Sequence, residues 1–334
     1  MINKEFVSII IVMRNEEKYI EKCLLSILNQ DYPKDNYEII IVDGMSDDKS
    51  VQIINKYKKS NNLRLFFNEK KTLASGWNIG IKNSKGSIVI RPDAHSTIES
   101  NFIKENIKTL QDNPDAICVG GRINSISKNG KISTIISAVL SSPFGVGNSQ
   151  FRIGNKSGYV DTVAYGAYKK EIFEQVGFFN EYLERNQDLE MHSRIKRNGG
   201  KFYFNPKIKS NYYTRSTVKG FVKQAYKNGK WNIITLAWER KALSIRHLIP
   251  LIFVLSLIIN ISLSMFSTFF LLVLICEAIM YLIGSICATI NIFNKIRKKE
   301  AFISVVLFFL LHTSYGIGSI IGFIKLPKYK KYSM

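Results

Sequence analysis

Apolar residues gather in short runs through the first 91 positions and in far longer ones after position 246. Phe6–Val12 (FVSIIIV) and Tyr37–Val42 (YEIIIV) are nearly continuous apolar segments of strand length, the pattern of strands covered on both faces. Between them, Glu17–Asn29 places Ile20, Leu24, Ile27 and Leu28 at helical spacing. Asp48–Lys58 repeats the pattern with Val51, Ile54 and Tyr57. Leu63–Phe67 reads as a third strand, Leu73–Asn83 as a helix and Ser87–Arg91 (SIVIR) as a fourth strand. Strands alternating with helices predict an α/β fold with a mostly parallel, doubly wound sheet. Ligands of such sheets lie beyond the carboxyl ends of the strands. Polar clusters fall there: Arg14-Asn15-Glu16, Asp43, the loop before Leu73, and Asp93-Ala94-His95.

Residues 247–293 hold no Lys or Arg, and Glu277 is their one acid. The run exceeds the roughly 20 residues of a single span, so two membrane helices are expected, at 248–265 and 269–290. A charged knot, Lys295-Ile296-Arg297-Lys298-Lys299-Glu300, comes next. A further apolar stretch at 301–324 is either a third span or a re-entrant element, and a basic tail follows at 325–334. Positive charge concentrates on the cytoplasmic side of membrane segments. The expectation is therefore an integral cell-membrane protein with a cytoplasmic catalytic domain at 1–210 and a juxtamembrane segment at 211–246. The N-terminal apolar run lacks a cleavage site and reads as a strand, not a signal peptide.

Composition narrows the function. Lys and Arg number 47 against 26 Asp and Glu, a net charge of +21 spread over both parts of the chain. Such a surface suits an anionic leaflet, a phosphorylated substrate or a nucleic acid; a general lean toward Lys, Asn and Ile explains many of the lysines equally well. No RNA- or DNA-reading motif accompanies them, so no nucleic-acid partner is expected. Cys23, Cys118, Cys276 and Cys287 have neither paired nor CxxC spacing, which argues against a disulfide framework or a zinc site. No glycine-rich turn follows the first strand, so a dinucleotide fingerprint and a P-loop are both absent. A nucleotide here must be held by side chains. The apolar segments are too few for the repeat halves of a transporter.

Several side chains could do this chemistry. Arg14 could meet a phosphate, and Glu16 and Asp43 could accept hydrogen bonds from a base or ribose. Asn15, Glu16 and Glu17 read equally well as an ordinary helix start. Asp93 and His95, two apart in an extended segment, aim the same way. They could hold a divalent cation whose other positions a diphosphate fills, the imidazole favouring Mn2+ somewhat more than a purely carboxylate site would. Asp188 precedes a helix that runs to Lys196 and is stopped by Gly199-Gly200. There it is either a general base toward a hydroxyl or an N-cap. Glu190 is a competing carboxylate.

The order and spacing of FVSIIIVMRNEE, EIIIVDGMSDD, KTLASGWNIGIKNSKGSIVIRPDAH, VDTVAYGAYKKEIFEQVGFFNE and NQDLEMHSRIKRNGG resemble the family-two glycosyltransferases of GT-A fold. The resemblance covers about residues 6–231. Asp-Ala-His, Gly120-Gly121 and VDTVAYGAY most resemble the succinoglycan-type exopolysaccharide subgroup, in which a membrane tail is frequent. The resemblance implies that Arg14, Asn15 and Glu16 line a nucleotide pocket and that Asp43 contacts the base or ribose. It puts Asp93 and His95 at the family's Asp-x-Asp metal motif, binding Mn2+ or Mg2+, with Asp93 also facing the donor. Asp188 becomes the catalytic base of an inverting transfer. The implied donor is a nucleotide sugar, with uridine diphosphate as the family default. The implied acceptor is a lipid-linked or glycan hydroxyl in cell-surface polysaccharide synthesis, alongside other polysaccharide-biosynthesis proteins. The alternatives are direct glycosylation of a polyprenyl phosphate or membrane lipid, and a non-catalytic membrane scaffold with a decayed transferase domain. Gln224–Trp231 (QAYKNGKW) occupies the region of the family's acceptor-side loop, where Lys227 and Lys230 could hold phosphates. Three positions depart from the family: Gln187 replaces a glutamate, Asn180 an aspartate, and His95 the second metal aspartate.

Overall fold

The apolar runs of the N-terminal half become the strands and covering helices of one sheet. In the computed structural model, which describes residues 5–58, 62–126, 130–213, 217–296 and 299–332, they are β1 (Val7–Met13), α1 (Ile20–Leu28), β2 (Tyr37–Asp43), α2 (Ser50–Tyr57), β3 (Leu63–Phe67), α3 (Leu73–Lys82) and β4 (Ile88–Ile90). Next come β5 (Ser96–Ile98), α4 (Phe102–Asp112), β6 (Ala116–Ile126), α5 (Lys131–Val139), α6 (Pro143–Val146) and α7 (Gln150–Ile153). Then follow β7 (Gly158–Val160), β8 (Ala167–Lys169), α8 (Ile172–Val176), α9 (Gln187–Arg197) and β9 (Lys201–Tyr213). The C-terminal part is helical: α10 (Val218–Thr235), α11 (Ile249–Ser264), α12 (Thr268–Ile296) and α13 (Ile303–Lys330). Arg297 and Lys298 of the basic knot, and Ser333 and Met334 of the tail, lie outside the described residues.

Among the described residues the sheet has nine strands in the order β3-β2-β1-β4-β8-β6-β9-β5, with β7 also pairing with β9. The β3-β2-β1-β4 half is parallel, as the strand–helix alternation predicts. β8 joins β4 antiparallel and opens the mixed half. The β1–β2 register runs from Val7 opposite Tyr37 to Met13 opposite Asp43, so both strands finish side by side. α3 lies directly on β1 because Gly76 and Gly80 present no side chain to it. A Cβ on Gly76 would sit 2.5 Å from a Val12 methyl, and one on Gly80 2.3 Å from an Ile10 methyl.

One acid interrupts β2, and the fold builds a network around it. Glu38 is fully buried and accepts from Ser8 Oγ at 2.7 Å, from the Lys85 amide at 2.6 Å and from Arg64 Nε at 3.1 Å. Removing one member of a buried pair strands the other groups without partners. Glu38→Ala is therefore expected to lower stability by about 3 kcal/mol, read as a fall in the thermal midpoint of the detergent-solubilised protein. An unchanged midpoint would make the network dispensable.

The chain divides into two compact units, residues 1–124 with 150–213, and 125–149 with 214–334. In the second, α10 and α13 meet backbone to backbone. A Cβ on Gly229 would stand 2.0 Å from the Tyr315 carbonyl oxygen, and one on Gly318 2.1 Å from that of Tyr226. The Gln224–Trp231 segment is thus helix, not loop: Thr217 caps α10 by accepting from the Gly220 amide at 3.1 Å, and Phe221, Ala225 and Trp231 are buried. The apolar stretches are helical throughout. α12 contains the expected 269–290 span, and the expected 301–324 stretch is a 3-10 turn ending at Phe302 followed by α13; both helices are long and apolar enough to cross a membrane. α11 matches 248–265 but has 16 residues, about 24 Å at 1.5 Å per residue against a hydrocarbon core of about 30 Å. Glu277, the acid of the apolar run, is bound by Ser256 Oγ and, at 3.1 Å, by Asn260 Nδ2.

Candidate active site

Because β1 and β2 end together, the loops that follow them are laced into one surface. The chain turns at Asn15 with a left-handed φ of 57°. The amides of Asn15, Glu16 and Glu17 then donate to Ser46 Oγ at 2.9 Å, Ser50 Oγ at 2.8 Å and Asp48 Oδ2 at 3.0 Å. Asn15 Oδ1 accepts from the Asp47 amide at 3.0 Å. Asp43 is buried and receives the Ser46 amide at 2.9 Å and its hydroxyl at 2.5 Å. Asn15 and Asp43 therefore organise the loop pair, while Arg14 is exposed, its stem 3.3 Å from where a Cβ on Gly44 would stand.

The third cluster joins this surface. His95 Nδ1 donates to Glu16 Oε1 at 3.0 Å, linking the loop after β4 to the loop after β1. Asp93 Oδ2 accepts from the Tyr165 hydroxyl at 3.1 Å. The Cys23 thiol, which donates to the Asp93 carbonyl at 3.5 Å, is pushed far up, first by burial and then by the charges of Asp93 and Glu16. Arg152 stacks over Tyr212 at 5.6 Å. Burial lowers its pKa, and the neighbouring Tyr212, Tyr165 and Asp93 act in the opposite direction.

The last predicted residue comes from a distant part of the chain. Asn186, at φ 60°, turns the backbone into α9 and sets Asp188 in its first turn. Among the described residues Asp188 Oδ1 accepts a local bond, from the Leu189 amide at 3.0 Å. Its rival Glu190 is buried and clamped by Arg194 at 2.6 and 2.9 Å. Gln187 is buried with Nε2 on the Leu183 carbonyl at 2.7 Å, and Asn180 Oδ1 accepts the Tyr182 amide at 3.0 Å, so both departures serve local structure.

One helical turn beyond Asp188, His192 anchors α9 to β8. Burial pushes His192 well below the ordinary imidazole value, with Arg91 and Lys196 adding to the effect, so the ring is neutral. Tyr168 then donates to Nε2 at 2.5 Å, and Nδ1 donates to Thr162 Oγ1 at 2.7 Å. Tyr168 accepts from Arg91 Nη2 at 3.0 Å, and the Arg91 guanidinium lies 3.9 Å from the Trp77 ring centre and 4.4 Å from that of Phe179. Asp93 through Tyr165, and α9 through Tyr168, are thereby hung on one short segment of chain.

The neutral His192 makes stability depend on pH. The unfolded chain binds a proton near pH 6.5 that the folded chain refuses, so its contribution is complete above that pH and declines below it. The decline is about 2 kcal/mol between pH 7.5 and pH 5. His192→Gln should flatten the pH dependence of the thermal midpoint by that amount. The difference between the two curves separates His192 from His247, which burial lowers to about 4 and which both proteins retain. Parallel curves would remove His192 from the account.

Tyr165 and Arg152 were missed as site residues. Tyr165 stands in the VDTVAYGAY segment with a left-handed φ of 50°, a strained conformation for an aromatic residue. No local signal singles out Arg152. Lys227 and Lys230 lie on α10 in the second unit, where Lys230 sits over the Trp231 ring at 5.2 Å.

A parallel half-sheet with acidic side chains at its strand ends, continued by an antiparallel half, defines the GT-A class of glycosyltransferase fold. A mannosyltransferase from Pyrobaculum calidifontis, solved with GDP-mannose and Mn2+, shares it with a TM-score of 0.59 at 15% identity, over 97% of this chain and 88% of that one. The profile of glycosyl transferase family 2 matches residues 8–177. A dolichyl N-acetyl-alpha-D-glucosaminyl phosphate 3-beta-D-2,3-diacetamido-2,3-dideoxy-beta-D-glucuronosyltransferase from Methanococcus voltae is 36% identical over 96% of this chain and 98% of its own length. The succinoglycan biosynthesis protein ExoA of Rhizobium meliloti is 23% identical over 73% of this chain and 74% of its own. The chain belongs to glycosyl transferase family 2 and is a glycosyltransferase.

Proposed function

We propose that this enzyme transfers a sugar from a nucleoside diphosphate to a hydroxyl of a lipid-linked glycan at the membrane, inverting the anomeric centre in one displacement. The observation that carries the reading is the bond between Glu16 and His95 beyond the ends of β1 and β4, two residues after Asp93, with α9 and its Asp188 tied to the strand beside them. The full-length likeness to the Methanococcus voltae enzyme, whose name specifies a sugar on a dolichyl phosphate, supports the lipid-linked acceptor over bare polyprenyl phosphate. The long apolar helices α12 and α13 support a membrane setting. The basic knot supports a cytoplasmic catalytic unit.

In this reading Asp188 removes the acceptor proton as the new bond forms. Among the described residues no three His, Cys, Asp or Glu side chains gather into a closed metal cage. The donor set nonetheless fits a divalent cation of the open kind, in which ligand and water complete the shell. Asp93 and His95 would hold it, and the bond from Nδ1 to Glu16 sets a carboxylate behind the imidazole, the arrangement usual for a metal-bound histidine. Such an ion supplies neutralisation of the departing diphosphate. Arg14, after β1, and Arg152, near Asp93, would meet phosphate oxygens, and the loops bearing Asn15 and Asp43 would hold the nucleoside.

The test is a donor screen with purified membranes, polyprenyl-phosphate-linked sugars as acceptors, and mass spectrometry of the lipid product. Growth of the lipid-linked glycan by one sugar is the expected result. Transfer to bare polyprenyl phosphate, or no turnover of any donor, would overturn the reading.

A further inference from the structure

In the second unit α10 and α13 are joined along most of the length of α13. Near its start, Leu307 and Phe308 share an apolar cluster with Phe221 and Ala225 of α10. At its middle the backbones touch, with Gly229 against the Tyr315 carbonyl and Gly318 against that of Tyr226. A Cβ on Gly322 would stand 2.6 Å from the Lys230 carbonyl oxygen. Near its end the Tyr329 ring meets that of Trp231 at 5.5 Å. Wherever α13 lies in a membrane, α10 lies beside it.

The two outer faces of this pair differ in kind. On α10, Phe221, Ala225 and Gly229 are buried, and Lys219, Lys223 and Lys227 recur at four-residue intervals on the opposite side. Lys219 and Lys223 are exposed and Lys227 is half-buried. On α13, Leu307, Leu311, Gly318 and Gly322 are buried, while Val306, Ile317 and Ile324 share the far face and are 58%, 48% and 70% exposed. One side of the two-helix layer is therefore charged and the other is an apolar stripe. A spanning α13 would carry Lys227, two residues from the Gly229–Tyr315 contact at the middle of the helix, to the centre of the bilayer. A lysine is costly there and too far from either surface to snorkel out. Laid flat, the layer puts its stripe among acyl chains and its lysines in water. We infer that α13 is not a third span but lies in the plane of the membrane, with the Val306–Ile317–Ile324 stripe seated in the acyl region of one phospholipid leaflet and both of its ends on the side of α10. The inference rests on the membrane setting proposed above.

The experiment uses the full chain in liposomes of phosphatidylcholine and phosphatidylglycerol, with the exposed thiols removed by Cys276→Ala and Cys287→Ala. One nitroxide at a time is attached through Lys223→Cys, Val306→Cys, Ile317→Cys, Ile324→Cys or Tyr332→Cys. Its relaxation by oxygen, against that by a water-soluble nickel chelate, reads depth. The labels at 306, 317 and 324 are expected at one shallow depth, about 5–10 Å below the headgroups, and those at 223 and 332 in water. In a span, residues 306 and 324 stand about 27 Å apart along the axis. A profile deepest at 317 and shallow at 306 and 324, with the label at 223 in lipid, would overturn the inference and leave the proposed function standing. Dipolar broadening between labels at 317 on two chains, in place of contact with lipid, would assign the stripe to a second copy and overturn it as well. Stripe labels open to water on a protein that sediments apart from the liposomes would sink the inference and the proposed membrane setting together.

Discussion

Asp188→Asn should reduce kcat by about a thousandfold, within the range that a positioned general base contributes, with little change in donor KM or thermal midpoint. The side chain makes one local hydrogen bond, to the Leu189 amide, and an asparagine oxygen can accept it equally well. The substitution therefore removes basicity and little else. Glu190→Gln provides the contrast. It weakens a buried, two-point pair with Arg194, whose guanidinium also holds the carbonyls of Val176 and Phe178, so it should lower stability before it touches chemistry. Release of nucleoside diphosphate, followed together with a melting curve, separates the two. An Asp188→Asn enzyme with wild-type turnover would move the base elsewhere.

Chelation of divalent cations should abolish turnover, and Asp93→Ala should weaken donor binding in Mn2+ at least tenfold while leaving binding in chelator unchanged. Calorimetric titration of nucleoside diphosphate with and without metal reads both. Glu16→Gln is the finer probe, because it keeps the shape and removes the charge behind His95. Losses of ten- to a hundredfold in metal affinity are usual when the partner of a ligating imidazole is removed. Equal donor affinity in wild type and Asp93→Ala, with metal present, would take the cation away from this pair.

The parallel half of the fold was legible because β1 and β2 are covered on both faces, which forces continuous apolar runs and leaves only their ends for polar side chains. The placement of Asp93, His95, Glu16 and Asp43 past strand ends was legible for that reason. The chain could not disclose which of them meet. His95 and Glu16 are 79 positions apart, and Tyr165 reaches Asp93 across 72. Pairings at such separations leave no periodicity. Glu190 is two residues from Asp188 and chemically its equal; only the Arg194 clamp tells them apart. The resemblance put the QAYKNGKW segment in the region of an acceptor-side loop, yet it is helical, and Gly229 is there because the Tyr315 carbonyl occupies the space of its side chain. Within 125–149, α5 is an apolar helix like any other until its partners are seen: Ile135, Ile136 and Val139 belong to a cluster with Phe221, Leu307 and Phe308.

That last segment has a practical consequence. The polypeptide passes from one unit to the other three times, after Asn124, after Ser149 and after Tyr213. Cutting the gene at the membrane boundary would leave an oily helix protruding from the catalytic fragment with nothing to cover it, a recipe for inclusion bodies. A soluble version would need a second edit, joining Asn124 to Gln150 through a short polar bridge.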